Sequence, residues 1–189
     1  MGKMSSKVKD EIIRVSLKMF ARDGFFKARM DDIARAAGIA KGTVYHYFAS
    51  KDELIAHSVR HISDQIIEIF SEGNSLREKL AGVVEFFKED PEALKIFFDA
   101  ISYSFRKKGK KTREIIKETF KQVKQQIVSA LKAESIPCEC SSIVIFHFLG
   151  LLVTFFVEEA DTFGSGSYHE DIDVFIKLLG SFKGAENPT

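Results

Sequence analysis

The chain has 189 residues, and 45% of them are hydrophobic, which is enough to bury a substantial core. Its two cysteines, Cys138 and Cys140, are too few for a thiolate zinc site. The longest apolar run, Ile143 to Val157, has 15 residues, whereas a membrane-spanning helix needs about 20. With no signal-peptide pattern at its start, we expect a cytoplasmic protein with reduced thiols, no cofactor, no bound metal and no membrane partner.

The net charge of +1 is distributed unevenly along the chain. Residues 1–56 contain 11 lysines and arginines against 7 aspartates and glutamates, whereas residues 57–189 contain 17 against 20. A basic N-terminal third on a mildly acidic remainder favours a polyanionic partner for the N-terminus.

Hydrophobic positions recur with helical periodicity through nearly the whole chain, and no segment alternates convincingly with a period of two. This pattern predicts an all-α protein of about nine helices. Ser50 with Glu53 and Ser75 with Glu78 have the spacing of capping boxes, and each pair marks a helix start. In chain order the helices are predicted at about residues 7–22, 30–37, 41–48, 50–70, 75–87, 90–105, 113–133, 141–159 and 170–182.

The predicted helix ends follow from breaking residues. Asp23-Gly24 ends the first helix and Gly38 the second, because glycine is favoured just past a helix end. The basic run Arg106 to Lys111 predicts a break before the seventh helix. We expect a solvated loop there, with contact to an anionic ligand head group as the alternative. The stretch Ala160 to His169 predicts a flexible loop.

The second and third helices, joined by a tight turn at Gly38, have the arrangement of a helix-turn-helix, whose second helix enters the DNA major groove. Val44 and Phe48, four residues apart, are expected to face the first helix. The other side chains of the third helix offer hydrogen-bond donors to bases and phosphates, and Gly42 lets the backbone come close to the duplex. The expected DNA contacts are Lys41, Gly42, Thr43, Tyr45, His46, Tyr47 and Lys51.

The segment GFFKARMDDIARAAGIAKGTVYHYFASKDEL resembles the DNA-binding segment of the tetracycline-repressor (TetR) family of transcriptional regulators. The resemblance is close from about Lys7 to Ala56, and beyond that only size and helix number agree. It implies operator contacts by the seven residues just named. It also implies a homodimer formed by the last two helices, and an effector cavity among the middle helices.

Two positions depart from the pattern of that family. Arg29 stands where a serine or threonine usually caps the second helix, and its longer cation can reach the same phosphate. We therefore add Arg29 to the expected DNA contacts. Ala40 stands where serine usually caps the recognition helix, and such a loss costs about 1 kcal/mol.

The rest of the chain is predicted to bind an effector and a second subunit, with residues 1–50 as the DNA-binding domain and residues 51–189 as the ligand-binding and dimerisation domain. The eighth helix is apolar on all sides, which predicts a self-complementary interface with the ninth. The expected interface residues are Phe146, Leu149, Leu152, Val153, Phe156, Ile172, Phe175 and Leu179. The expected ligand-binding residues are Phe87, Phe97, Phe98, Ile101, Phe105, Phe120 and His147, although aromatic residues at this spacing are more often plain core, and His147 suits an interior or interface position better.

These features predict a ligand-responsive transcriptional regulator, a repressor by preference, that binds a palindromic double-stranded operator as a homodimer and is released by a small apolar or amphipathic effector. One alternative is an effector-free DNA-binding architectural protein, and another is a helical ligand carrier or enzyme that retains the head. No nucleophile–base pair is evident, so we expect no enzyme activity. His57, His61 and Asp64 suit a wet helix surface better than a metal site.

Overall fold

The computed structural model describes residues 2–157 and 167–181, with side chains described at 7–153 and 170–181. These residues form helices and no strand, so the prediction of an all-α fold is confirmed. The helices are α1 (Gly2–Lys27), α2 (Met30–Ala36), α3 (Lys41–Tyr47), α4 (Lys51–Glu72), α5 (Leu76–Glu89), α6 (Pro91–Ser104), α7 (Lys110–Ala133), α8 (Ser141–Val157) and α9 (Ser167–Gly180). A 3-10 turn, Cys138–Cys140, precedes α8.

Most helix ends agree with the sequence pattern, and three helix starts differ: α1 begins at Gly2, five residues before its predicted start, and α7 and α9 each begin three residues early. Gly24 has φ 71° and ψ 165°, non-helical values that interrupt α1 where its end is predicted, and a further short helical piece then extends to Lys27. Helix α7 begins at Lys110, inside the predicted basic break, because a side chain from α4 caps it. Helix α9 begins at Ser167, so the predicted loop is wrong over residues 167–169, and residues 160–166 of that loop lie outside the described residues.

The two predicted capping boxes are present. The Ser50 hydroxyl accepts a hydrogen bond from the Glu53 amide at 3.2 Å, and the Glu53 carboxylate accepts one from the Ala49 amide at 2.9 Å. Ser75 accepts from the Glu78 amide at 3.1 Å in the same way. These bonds satisfy amide groups that the first turn of a helix leaves without a partner.

The described residues group into two compact units. The first comprises residues up to 65 together with 92–119, and the second comprises 66–91 together with the described residues from 120 onwards. The functional division predicted at residue 50 is a different boundary, and it stays a prediction. No helix in the described ranges is long and apolar enough to cross a membrane.

Each unit has its own apolar core. In the first unit, Phe20 packs edge-on against Phe25 with ring centroids 4.9 Å apart. In the second, Arg77 of α5 and Asp173 of α9 form an ion pair at the edge of the core. The side chains that are almost fully buried in the first unit include Ile12, Phe20, Phe25, Ile33, Val44, Phe48, Leu54, Ile55 and Val59, and in the second Phe70, Leu76, Leu80, Val84, Phe87, Ile127, Leu131 and Val144.

Candidate nucleic-acid interface

A tight turn joins α2 to α3 in the first unit. Gly38 has φ 67°, a left-handed conformation that favours glycine. The Gly38 amide donates to the Arg35 carbonyl and the Ile39 amide to the Ala34 carbonyl, both at 3.1 Å. These two bonds satisfy the last carbonyl groups of α2. The turn therefore holds α2 and α3 at a defined angle, as the sequence pattern predicts.

Helix α3 is anchored by one apolar face. Val44 and Phe48 have no exposed surface, and they share the core with Ile33 and Ala34 of α2. Phe48 follows the last residue of α3, and its amide donates to the Val44 carbonyl at 2.9 Å. This anchor orients the rest of the helix away from the core.

The opposite face of α3 is open to solvent and rich in donors. Lys41, Gly42, Tyr45 and His46 are exposed, while Thr43 and Tyr47 are half-buried at its edges. The His46 and Tyr47 rings contact each other edge-on with centroids 5.4 Å apart. The predicted contact residues of the third helix are thus all at least partly open to solvent, and an α-helix is an element that the DNA major groove admits.

The Lys41 ammonium is paired with α2. Its Nζ lies 2.9 Å from the Asp31 carboxylate and 5.9 Å from the centre of the Tyr45 ring. The hydrogen bond to Asp31 raises the pKa of Lys41, and the nearby Arg29 charge opposes that shift. Lys41 is therefore fully charged at neutral pH, and it shares this region of the surface with Arg29.

Arg29 occupies the N-cap position of α2 without capping it. Its backbone is extended, with φ −112° and ψ 144°, and no side-chain hydrogen bond caps the helix. The Arg29 carbonyl accepts from the amides of Asp32 and Ile33 at 3.1 Å each. The guanidinium is exposed beside the amino-terminal end of α2, where a phosphate is favoured.

Lys51 begins α4 and is oriented differently from the residues of α3. Its Nζ donates to the Phe26 carbonyl at 3.2 Å, and burial lowers the pKa of this half-buried lysine. Lys51 lines an open cleft of about 700 Å³ in the first unit, together with Arg106, Lys107 and Lys108. Its role as a phosphate contact stays a prediction.

A second exposed surface lies on α8 and α9 in the second unit, and the expected interface residues are divided between this surface and the core; their role in an interface stays a prediction. Leu152, Ile172, Phe175 and Leu179 are buried within one chain, because they hold α8 and α9 to their own core. Among the other expected residues, Phe146 is 78% and Val153 is 46% exposed, Leu149 is half-buried, and the Phe156 side chain lies outside the described residues.

Three further apolar residues of this second surface are exposed. Ile143, Val174 and Leu178 are 52%, 55% and 60% exposed. Ile143 precedes Phe146 by three residues, and Val174 precedes Leu178 by four, so each pair lies on one side of its helix. We name this the α8–α9 apolar face: Ile143, Phe146, Val153, Val174 and Leu178.

The expected effector-binding residues are divided between the units. Phe97, Phe98, Ile101 and Phe105 lie in the first unit and the other three in the second, so neither unit assembles all seven by itself. Phe87 and Phe97 are buried, while Phe105 is 82% exposed just past the end of α6. His147 is exposed and stacks on Phe175 with ring centroids 3.8 Å apart. An effector role for any of these residues stays a prediction.

The possible metal ligands of the described ranges do not come together in one place. In these ranges, histidine, cysteine, aspartate and glutamate side chains form no group of three or more that could hold a metal ion. The His57 ring instead packs edge-on against Phe48, with centroids 5.4 Å apart. His57 therefore contributes to the packing beneath α3.

Comparison with known proteins gives a family match for one N-terminal segment and a similar fold for most of the chain. Residues 12–57 match the sequence model of the bacterial regulatory proteins, tetR family. The chain is 28% identical over 101 residues to the HTH-type transcriptional regulator LuxR of Vibrio harveyi, which covers 49% of each chain. It is 33% identical over 79 residues to the HTH-type transcriptional repressor KstR2 of Mycolicibacterium smegmatis, covering 40% of this chain and 38% of that protein.

The chain thus spans about half or less of the length of these curated relatives. A solved transcriptional regulator from Rhodococcus sp. Rha1 has the same fold, with a TM-score of 0.78 and 16% sequence identity. That alignment covers 92% of this chain and 96% of the other. The fold similarity therefore extends well beyond the segment in which the sequences agree.

Proposed function

We propose that this chain, whose residues 12–57 match the model of the bacterial regulatory proteins, tetR family, is a transcriptional regulator that binds operator DNA as a homodimer and responds to a small effector. The observation that carries this proposal is the exposed donor-bearing face of α3 on a fully buried anchor of Val44 and Phe48. KstR2 is by name a repressor, and we propose repression for this chain as well.

In the proposed complex α3 lies in the major groove. Lys41 donates to guanine acceptors, and the hydroxyl and imidazole groups of Thr43, Tyr45 and His46 donate to bases or phosphates. Gly42 has no neighbour within 4 Å of the position of a Cβ, so its lack of a side chain serves the approach of the duplex and not internal packing.

The α8–α9 apolar face supports the proposed homodimer. An exposed phenylalanine and four exposed aliphatic side chains on two consecutive helices are costly to leave in water. A two-fold axis through this face would pair it with itself, as cyclic dimers do. Two recognition helices would then read two half-sites about 34 Å apart on a palindromic operator.

The proposed effector is apolar or amphipathic, since six of the seven expected ligand-binding residues are aromatic or aliphatic. A coupling free energy of about 1–3 kcal/mol between effector and DNA would be ordinary for such a regulator. Effector binding would then lower the affinity for the operator by roughly 5- to 150-fold.

The direct test is DNA binding as a function of salt. An operator is first selected from a random duplex library, and its affinity is then measured by fluorescence anisotropy between 50 and 200 mM KCl. With about four phosphate contacts per subunit, the plot of log K against log salt should have a slope near −7. A flat dependence would contradict the proposal.

Native mass spectrometry of the purified chain separates the alternatives. A dimer mass with a co-purifying apolar molecule supports the ligand-responsive regulator. A dimer that binds DNA and that no apolar molecule releases would support the effector-free architectural protein instead. Ligand binding without any affinity for DNA would support a carrier or enzyme that retains the head.

A further inference from the structure

We propose that the turn between α6 and α7 forms a second contact with the DNA backbone, beside the one made by the recognition helix. The basic turn is defined here as Arg106, Lys107 and Lys108. This inference rests on the proposed DNA-binding function and adds to it a site outside the helix-turn-helix. Four observations carry it: the turn is rigidly built, it is joined to α4 beside Lys51, it is unneutralised, and it is open to solvent.

The basic turn is not a loose loop, because Gly109 packs directly on the end of α6. Gly109 is buried, and a Cβ at this position would lie 2.3 Å from the Tyr103 carbonyl oxygen. The Gly109 amide donates to the Arg106 carbonyl at 3.0 Å, which closes the turn. Any larger residue would therefore displace the backbone that carries the two lysines.

The side chain of Arg113 holds the turn from α7. Its Nε donates to the Ser104 carbonyl at 2.6 Å and its Nη2 to the Arg106 carbonyl at 3.0 Å. On the other side, the Arg106 guanidinium lies 4.2 Å from the centre of the Phe26 ring at the end of α1. The turn is thus fixed between two helices of the first unit.

Helix α4 fixes the start of α7 through its first two acidic residues. The Asp52 carboxylate accepts hydrogen bonds from the amides of Lys111 at 2.9 Å and Thr112 at 3.3 Å, and from the Thr112 hydroxyl at 2.8 Å. Glu53 pairs with the Lys111 ammonium at 2.7 Å. Since Lys51 immediately precedes these two residues, the basic turn is joined to the part of α4 that is expected to meet a phosphate.

The cleft that Lys51 shares with the basic turn has a strong excess of positive charge. Lys51 and the three residues of the basic turn line it, together with Phe25, Phe26, Tyr103 and Ser50, and Asp52 is the only carboxylate among its lining residues. That carboxylate already accepts bonds from the start of α7. Lys107 and Lys108 are exposed, and within the described part of the chain neither forms an ion pair.

A row of cations suits DNA better than a single small anion. A duplex presents one negative charge per about 1.7 Å of its axis, so several cations can each neutralise a separate phosphate. A small anion would use only part of this charge. The basic turn also belongs to the same compact unit as α3, and it extends the expected contact surface from Lys51 outward.

The test compares two double substitutions that remove equal charge. Lys107→Gln/Lys108→Gln removes two cations from the basic turn, and Lys124→Gln/Lys132→Gln removes two exposed lysines from α7 in the second unit. Binding to the selected operator and to a 40-bp duplex of mixed sequence is measured between 50 and 200 mM KCl. Two lost contacts per subunit should make the slope of a dimer shallower by about 3.6 on both duplexes, and the control should keep the wild-type slope.

Gly109→Ala provides a variant in which the charge is unchanged. It should shift the turn and make the slope shallower while the helical circular dichroism stays that of the wild type. A wild-type slope in Gly109→Ala, or equal slopes in the two double variants, would overturn the inference.

Three further outcomes separate this inference from its alternatives. If the wild type has a steep slope and the Lys107/Lys108 variant keeps it, the basic turn does not contact DNA, although the proposed function stands. If calorimetry then shows that only this variant loses binding of inorganic phosphate, the cleft is a small-anion site and the inference is wrong. A wild type with a flat slope would overturn both proposals.

Discussion

The ammonium of Lys41 on α3 lies 2.9 Å from the carboxylate of Asp31 on α2. One half of the helix-turn-helix therefore partly neutralises the main cation of the other half. Both side chains are largely exposed, so the pair is readily exchanged for a pair with a phosphate. In the free protein Asp31 orients Lys41, and in the proposed complex it competes with the duplex.

Asp31→Asn should strengthen DNA binding. The substitution removes a negative charge from the surface that meets the duplex and releases Lys41, so we expect an affinity about two- to fivefold higher at 100 mM KCl. Anisotropy titration measures this change, and Asp64→Asn, an exposed position on α4, is the matched control. A weaker complex would show that Asp31 is needed to position Lys41.

Tyr45 and Val44 should separate DNA binding from stability, because they are neighbours on α3 with opposite environments. Tyr45 is 43% exposed and Val44 is fully buried. Tyr45→Ala should weaken operator binding by about tenfold or more, because it removes a hydrogen bond to a charged group. It should change the free energy of unfolding by less than about 0.5 kcal/mol. Val44→Ala should lower the free energy of unfolding by about 2 kcal/mol. Urea unfolding and anisotropy test both, and a destabilised Tyr45→Ala variant would show that the tyrosine is structural.

Phe146 and Phe105 should separate the dimer interface from ordinary surface. Both are strongly exposed, at 78% and 82%, but they lie on different compact units. Phe146→Glu should raise the dimer dissociation constant at least roughly 100-fold, because the two-fold axis brings a carboxylate into the interface from each subunit. Phe105→Glu should leave the dimer dissociation constant unchanged. Sedimentation equilibrium measures both, and a dimeric Phe146→Glu variant would place the interface elsewhere.

His57 should make the protein less stable in mild acid. Burial lowers the pKa of His57. The positive charges of Lys9, Arg60 and Lys111 lower this pKa further, and the negative charge of Glu53 opposes the shift. The unfolded state therefore binds a proton more readily than the folded state. The contribution of neutral His57 to the free energy of unfolding is therefore fully present above the ordinary histidine pKa of 6.5. It is lost as the pH falls from 6.5 through the lower pKa that His57 has in the folded state.

Urea unfolding at pH 7.5, 6.5 and 5.5 tests this dependence. We expect the loss of stability towards pH 5.5 to be smaller in His57→Gln than in the wild type. His61→Gln, one helical turn further along α4 and exposed, should behave like the wild type. Equal pH profiles for wild type and His57→Gln would contradict the assignment.

The local features of this protein followed from the sequence alone. The capping boxes at Ser50 and Ser75 and the left-handed Gly38 each depend on residues within five positions of one another. The same holds for the inward face of α3 with Val44 and Phe48. Interactions of this range are set by spacing and residue type, so periodicity and capping chemistry were sufficient to predict them.

Only the tertiary structure decided which surfaces are available. The start of α7 was predicted three residues too late, because its cap is Asp52, 59 positions earlier in the chain. Leu179 and Leu178 look alike in the sequence, yet one is 1% and the other 60% exposed. Burial and long-range caps depend on how distant helices pack, and no local pattern records that packing.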